Sequence, residues 1–279
     1  MERISKALEL ARQQSEQAVR AAAAADAATG PQQAYEPQAA PEPDPAVTGT
    51  FGSPLAFLHP DTLEREHILP PQAMGPQGKA YKLLRTQVLQ RLDHLKANTL
   101  AVMSPNSGEG NTLTAINLAI AISAELGRTA LLVDLNLRNP SVHRRLGYEP
   151  RHGVESVLRG VCTVQEVIVR VAEYDRLALL PAKHAVDNSS ELLSSEAAAV
   201  LMNELRNRYS NRIMIFDLPP VLEADDALAF SRVVQAGLVV VTDGQTQKTA
   251  LRRTMEMLSE LPIVGTVLNG ERAAGKARN

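Results

Sequence analysis

Along this chain, apolar residues gather in short unbroken runs that alternate with longer stretches in which they recur at helical spacing. The runs at residues 100–103, 130–133, 177–180, 213–216, 237–241 and 263–268 are too short for helices and lack polar alternation, so each is predicted to be a buried strand. Helical recurrence lies between them at 112–126, 191–209, 225–235 and 249–261. This alternation predicts an α/β fold, a doubly wound and mostly parallel sheet covered on both faces. A helix with Leu83, Leu84, Val88, Leu89 and Leu92 on one side is expected to open the globular domain, residues 78–279. Ahead of it, Ile4, Leu8 and Ala11 at helical spacing predict an N-terminal helix over residues 1–28. Residues 29–77, rich in proline and alanine, read as a flexible linker followed by an irregular segment.

Candidate chemistry lies where strands end. The stretch LAVMSPNSGEGNTLTAINLA reads as a strand, a glycine-bearing turn and a helix opening at Asn111 and Thr112. Such a turn folds backbone amides around phosphate oxygens at the positive end of a helix. Gly108, Glu109, Gly110, Asn111 and Thr112 are therefore the candidate cofactor-binding loop, with the Thr112 hydroxyl available to magnesium. A phosphate loop usually has lysine where this chain has Asn111, and an amide donates a hydrogen bond without neutralising phosphate charge. A hydrogen bond to a charged group is worth about 1.5–3 kcal/mol, and about 1.4 kcal/mol is tenfold in affinity, so weak nucleotide binding or none is expected. Taken alone, SGEGN is equally well explained as an ordinary strand-to-helix turn.

In LLVDLNLRNP, Asp134, Asn136 and Arg138 occupy alternate positions and point the same way if the extended chain persists. Asp134 is a candidate to orient magnesium or accept a hydroxyl proton; the plainer alternative is a capping or turn carboxylate. In IFDLPPVLEADDA, Asp217 ends a strand before a proline pair that forbids helix, the place of the magnesium-holding aspartate in P-loop enzymes. Asp226 reads as a helix-start or loop-stabilising carboxylate. Asn269, in TVLNG, is a candidate near adenine, with an Asn-Gly turn as its alternative.

Composition narrows the functional classes. The 279 residues, 44% hydrophobic and 22% charged, suit one medium domain with an extension. A formal net charge of -2 leaves no electrostatic footprint for nucleic acid. The single cysteine, Cys162, excludes an internal disulfide and fits a reducing compartment. His143, His152 and His184 lack metal-site spacing. The first residues carry charges throughout, unlike a secretory signal, and no apolar run approaches the roughly 20 residues that span a bilayer. A cytoplasmic protein is expected, reaching a membrane only through a partner.

Taken in order between Tyr81 and Asn269, the segments SPNSGEGNTLTAINLA, LLVDLNLRNPSVHRRLG, GVESVLRGV, NSSELLSS, IFDLPPVLEADDA and TVLNG resemble the landmarks of bacterial tyrosine kinases (BY-kinases) of capsule and exopolysaccharide systems. The resemblance implies a P-loop NTPase-like fold related to MinD and ParA, ATP and magnesium as cofactors, and tyrosine autophosphorylation. It also implies a membrane chain-length regulator, a polysaccharide co-polymerase, as partner, and admits a homo-oligomer. It places Gly108, Gly110 and Thr112 in the phosphate loop and makes Asp134, Arg138 and Asp217 catalytic candidates, with Thr112 and Asp217 toward the metal.

Four departures accompany the match. Asn111 replaces the family's lysine, and Asn136 replaces a magnesium-associated aspartate. No tyrosine follows Tyr209, where the family clusters its autophosphorylation targets. In KAYKLLRT, Lys79 and Lys82 replace the glutamate and first arginine of a ring-forming helix, while Arg85 is retained. The expectation is a kinase-like, catalytically impaired component of polysaccharide synthesis or export. One alternative is an active tyrosine autokinase. Another is a MinD/ParA-like positioning ATPase, although Pro105 and Asn106 stand where that class has an additional lysine. A third is a dinucleotide oxidoreductase, since Asp134 follows the glycines by about 20 residues, although Leu113 occupies the third glycine position.

Overall fold

The computed structural model describes residues 55–208 and 212–270; the expected N-terminal helix, most of the linker and the tail after Gly270 lie outside them. In chain order the elements are β1 (Leu55–Ala56), α1 (Pro60–Arg65), α2 (Pro76–Leu95), β2 (Thr99–Met103), α3 (Asn111–Ser123), β3 (Thr129–Asp134), α4 (Val142–Arg145), α5 (Val154–Leu158), α6 (Val164–Val167), β4 (Val169–Val171), β5 (Tyr174–Leu180), α7 (Ser189–Leu193), α8 (Glu196–Arg208), β6 (Arg212–Asp217), α9 (Asp226–Ser231), β7 (Ala236–Thr242), α10 (Lys248–Met257) and β8 (Ile263–Asn269). The strands form one eight-stranded sheet in the order β1-β4-β5-β3-β6-β2-β7-β8. Its neighbours run parallel except β4 with β5.

All six apolar runs are strands of this sheet, and β2, β3 and β6 are buried along their whole length. Side chains alternate between two cores, as a period of two requires. Leu100, Val102, Ala130, Leu132, Ile213 and Ile215 enter the core that also receives α2 and α3. Ala101, Met103, Leu131, Val133, Met214 and Phe216 enter the opposite one, beneath α7, α8 and α9. The six strands β2, β3, β5, β6, β7 and β8 run the same way and so end on one edge of the sheet, where open parallel sheets collect ligands, whereas β1 and β4 run the opposite way.

The structure departs from the sequence pattern in three places. Residues 55–77, expected to be irregular, include β1 and α1; β1 pairs with β4, and Ala56, Leu58 and Ile68 are buried. The helix expected over 191–209 is divided into α7 and α8, and Ser195 Oγ accepts the Ala198 amide at the start of the second piece. On α2, Val88, Leu89 and Leu92 are buried, but Leu83 is 60% exposed. Arg85 of that helix donates to the Ala121 carbonyl at 3.3 Å and pairs with Glu125 at 3.0 Å. Among the described residues, no helix is long and apolar enough to cross a membrane.

Candidate functional site

Between β2 and α3 the backbone turns through two left-handed glycines, Gly108 at φ +79° and Gly110 at φ +89°. Any other residue is strained there. At Gly110 a Cβ would also meet Asn269 Nδ2 at 2.1 Å. Asn269, at the end of β8, donates from Nδ2 to the Glu109 carbonyl at 3.1 Å, and the Thr242 hydroxyl donates to the same oxygen at 3.2 Å. The Glu109 side chain is wholly buried. Its carboxylate accepts the Asn106 amide and side-chain amide, each at 3.0 Å, and the Thr246 hydroxyl at 2.6 Å. Glu109 thus braces the loop from behind rather than presenting its carboxylate to a ligand. Among the described residues, the amides of Gly108, Glu109, Gly110, Asn111 and Thr112 have no hydrogen-bond partner.

Asn111 and Thr112 begin α3 and turn toward Asp217 at the end of β6. Asn111 donates from Nδ2 to Asp217 Oδ1 at 3.0 Å and to the Leu218 carbonyl at 2.7 Å. The Thr112 hydroxyl donates to Asp217 Oδ2 at 2.7 Å. Both oxygens of Asp217 are thereby engaged, and the amide of Asn111 is tied to the protein instead of reaching a phosphate. Burial, and then the charge of Asp134, hold the Asp217 carboxyl well above the usual carboxylate range.

Asp134 is the register partner of Asp217 on β3 and is equally buried. Its Oδ1 accepts the Asn136 amide, and its Oδ2 accepts the Ser141 and Val142 amides, each at 3.1 Å. Burial pushes its carboxyl up to about 7, against the opposing pull of these amides. The expected alternation of Asp134, Asn136 and Arg138 fails because extension stops at Asp134: the Asn139 amide donates to the Asn136 carbonyl at 3.1 Å, closing a turn. Asp134 organises that turn and the start of α4, in the role of a capping or turn carboxylate. Arg138 instead reaches α9, where Nε donates to buried Asp226 Oδ2 at 2.8 Å and a terminal nitrogen to exposed Asp225 at 3.1 Å. Its guanidinium thus serves an ion pair that fixes the β3–α4 turn to α9.

Three participants gave no sequence signal. Ser107 donates its amide to Glu223 Oε1 at 2.6 Å, across 116 positions of chain. Thr246 supports Glu109 across 137 positions. Arg145, on α4, pairs with Glu66 at 3.1 Å, and its positive charge partly offsets the burial of Asp217. Nothing local in the sequence links these pairs, because folding alone brings their elements to one edge.

The backbone fits a phosphate group: left-handed glycines keep the loop open, and unengaged amides lie at the head of a 13-residue helix. Beside the loop, the Thr112 hydroxyl and the Asp217 carboxylate lie together as oxygen donors of the kind that would suit magnesium. What the site lacks, among the described residues, is a lysine on the loop itself.

No protein-family model matches the chain. Tyrosine-protein kinase YwqD of Bacillus subtilis (strain 168) is 28% identical over 212 residues, covering 75% of this chain and 88% of YwqD. Succinoglycan biosynthesis transport protein ExoP of Rhizobium meliloti (strain 1021) is 30% identical over 185 residues, which are 64% of this chain but 23% of ExoP. The chain therefore matches most of the shorter relative and about a quarter of the longer one. Among solved structures, the chimerical protein CapA2B2 superposes with a TM-score of 0.66 at 25% identity, covering 76% of this chain and 98% of that one. At the level of fold alone, a synthase solved with an ATP analogue and magnesium superposes with a TM-score of 0.51. In sequence and in fold, the chain is a homologue of the bacterial tyrosine-protein kinases, built on their P-loop sheet.

Proposed function

We propose that this protein is a kinase-like component of exopolysaccharide or capsule biosynthesis or export in which phosphoryl transfer to tyrosine is impaired. One observation carries the reading: Asn111 occupies the place of the loop's lysine, and its amide is bonded to Asp217 and to the Leu218 carbonyl. Phosphoryl transfer relies on positive charge around the transferring group, and a neutral amide held by a carboxylate supplies none. ATP and magnesium remain the cofactors that the loop suits. Gly108, Gly110 and the open amides would hold phosphate, with Thr112 and Asp217 toward the metal. Bound nucleotide then serves as a conformational ligand more than as a phosphoryl donor. The location that goes with this reading is the cytoplasmic face of the membrane, reached through a chain-length regulator.

The test is phosphotyrosine formation by the purified chain in magnesium ATP. The expected result is little or none in the wild type, with magnesium-ATP affinity rising about tenfold in Asn111→Lys. Robust autophosphorylation that Asp217→Ala abolishes would overturn the reading. An active autokinase is a second reading favoured by one electrostatic effect: the positive charge of Arg145 acts on Asp217 through space. Under that reading Arg145→Met would abolish phosphotyrosine while leaving nucleotide binding in place.

A further inference from the structure

A carboxylate already rests on the phosphate loop. Glu223 accepts the Ser107 amide at 2.6 Å through Oε1, and the Ser107 hydroxyl donates to Oε2. The next amide back, that of Asn106, is engaged by buried Glu109 at 3.0 Å. Glu223 stands on a turn fixed to the exit of β2, where the Val221 amide donates to the Ser104 carbonyl at 2.9 Å and the Leu222 amide to the Pro105 carbonyl at 3.2 Å. The backbone beneath it is therefore anchored, while Glu223 and Ser107 are themselves exposed. Its side chain is free to rotate into solvent without any movement of the sheet.

An ionised carboxylate is acceptor-only and carries the same sign as a phosphoryl oxygen. The two cannot share one amide and one hydroxyl, and they repel each other when near. We propose that Glu223 is a resident anion of the phosphate loop, which a nucleoside triphosphate must displace before its phosphates can seat against Ser107. This rests on the nucleotide reading of the site given above. The apparent affinity is then the intrinsic affinity reduced by the fraction of molecules in which Glu223 has swung away. Repulsion between exposed charges is screened by salt, so the penalty is greatest at low ionic strength.

Calorimetric titration of the full chain with magnesium ATP, and separately with inorganic pyrophosphate, tests this in the wild type, Glu223→Gln, Glu223→Ala and the Asn111→Lys background. Glu223→Ala is expected to bind about tenfold more tightly than wild type at low salt, with Glu223→Gln in between and the gain shrinking at high salt. A gain seen with pyrophosphate as well assigns the competition to the phosphate tail; a gain confined to ATP places the clash nearer the nucleoside, and overturns displacement from Ser107. Equal or weaker binding by both Glu223 variants overturns the proposal and leaves the nucleotide reading intact. No binding in any protein, Asn111→Lys/Glu223→Ala included, overturns both. Circular dichroism and the melting temperature of each variant confirm that folded protein is being titrated.

Discussion

Asp134 and Asp217 sit side by side on adjacent strands, both wholly buried and both held toward their neutral forms. Each carboxyl binds its proton more tightly in the folded chain than in the unfolded one. The stability they contribute is therefore fully present below about pH 4 and is lost as pH rises through the folded values, near 7 for Asp134. Asp217→Asn keeps a carbonyl oxygen for Asn111 and an amide for the Thr112 oxygen while removing the charge that faces Asp134. Its melting temperature is expected to match wild type at about pH 4 and to exceed it by roughly 4–8 °C at about pH 8, from on the order of 2 kcal/mol. Thermal melts at the two pH values check this; an equal shift at both would mean that packing, not charge, decides. Little of this pair was legible beforehand. The strand-terminal positions of both aspartates could be read, but only the finished sheet places them in register.

At the scale of elements, the contact between the β3–α4 turn and α9 depends on one guanidinium. Asp226 is fully buried, and its Oδ1 has no hydrogen-bond partner among the described residues, so Arg138 alone offsets its charge there. Arg138→Ala is expected to cost about 2–3 kcal/mol, less than a deeply buried pair because the arginine is 41% exposed. Asp225 is 69% exposed, and Asp225→Ala should cost less than about 0.5 kcal/mol. Urea denaturation of the two variants checks the contrast. Long elements with strong patterns were legible: the central strands are continuous apolar runs because helices cover both of their faces. Two strands were not. β1 has two residues and β4 has three, too few for any periodicity, and both are set by pairing partners distant in sequence. Ser194 and Ser195 hid the division between α7 and α8, since each is also tolerated within a helix. Leu83 fits the apolar stripe of α2, yet the helix turns it outward, because period alone does not say how wide a stripe the core will cover.

At the scale of the whole molecule, the segment ahead of α2 belongs to the fold. Leu58 and Ile68 are 5% and 3% exposed, and the burial of each contributes about 1.5–3 kcal/mol. A chain beginning at residue 76 is therefore expected to melt roughly 10 °C below one beginning at residue 55, a difference that calorimetric scans of the two would reveal. The sheet also brings distant residues to the phosphate loop, and that has a bearing on biogenesis. Ser107 meets a residue 116 positions later, and Glu109 meets Asn269 across 160 positions. A ribosome adds about 5–20 residues per second, so on the order of ten seconds or more separates translation of the loop from translation of the strand that locks it. Until β8 has emerged and docked, the nascent polypeptide holds an unfinished cradle. Nucleotide added to stalled ribosome complexes should accordingly ignore chains that stop short of the last strand, making ligand capture a marker of completed synthesis.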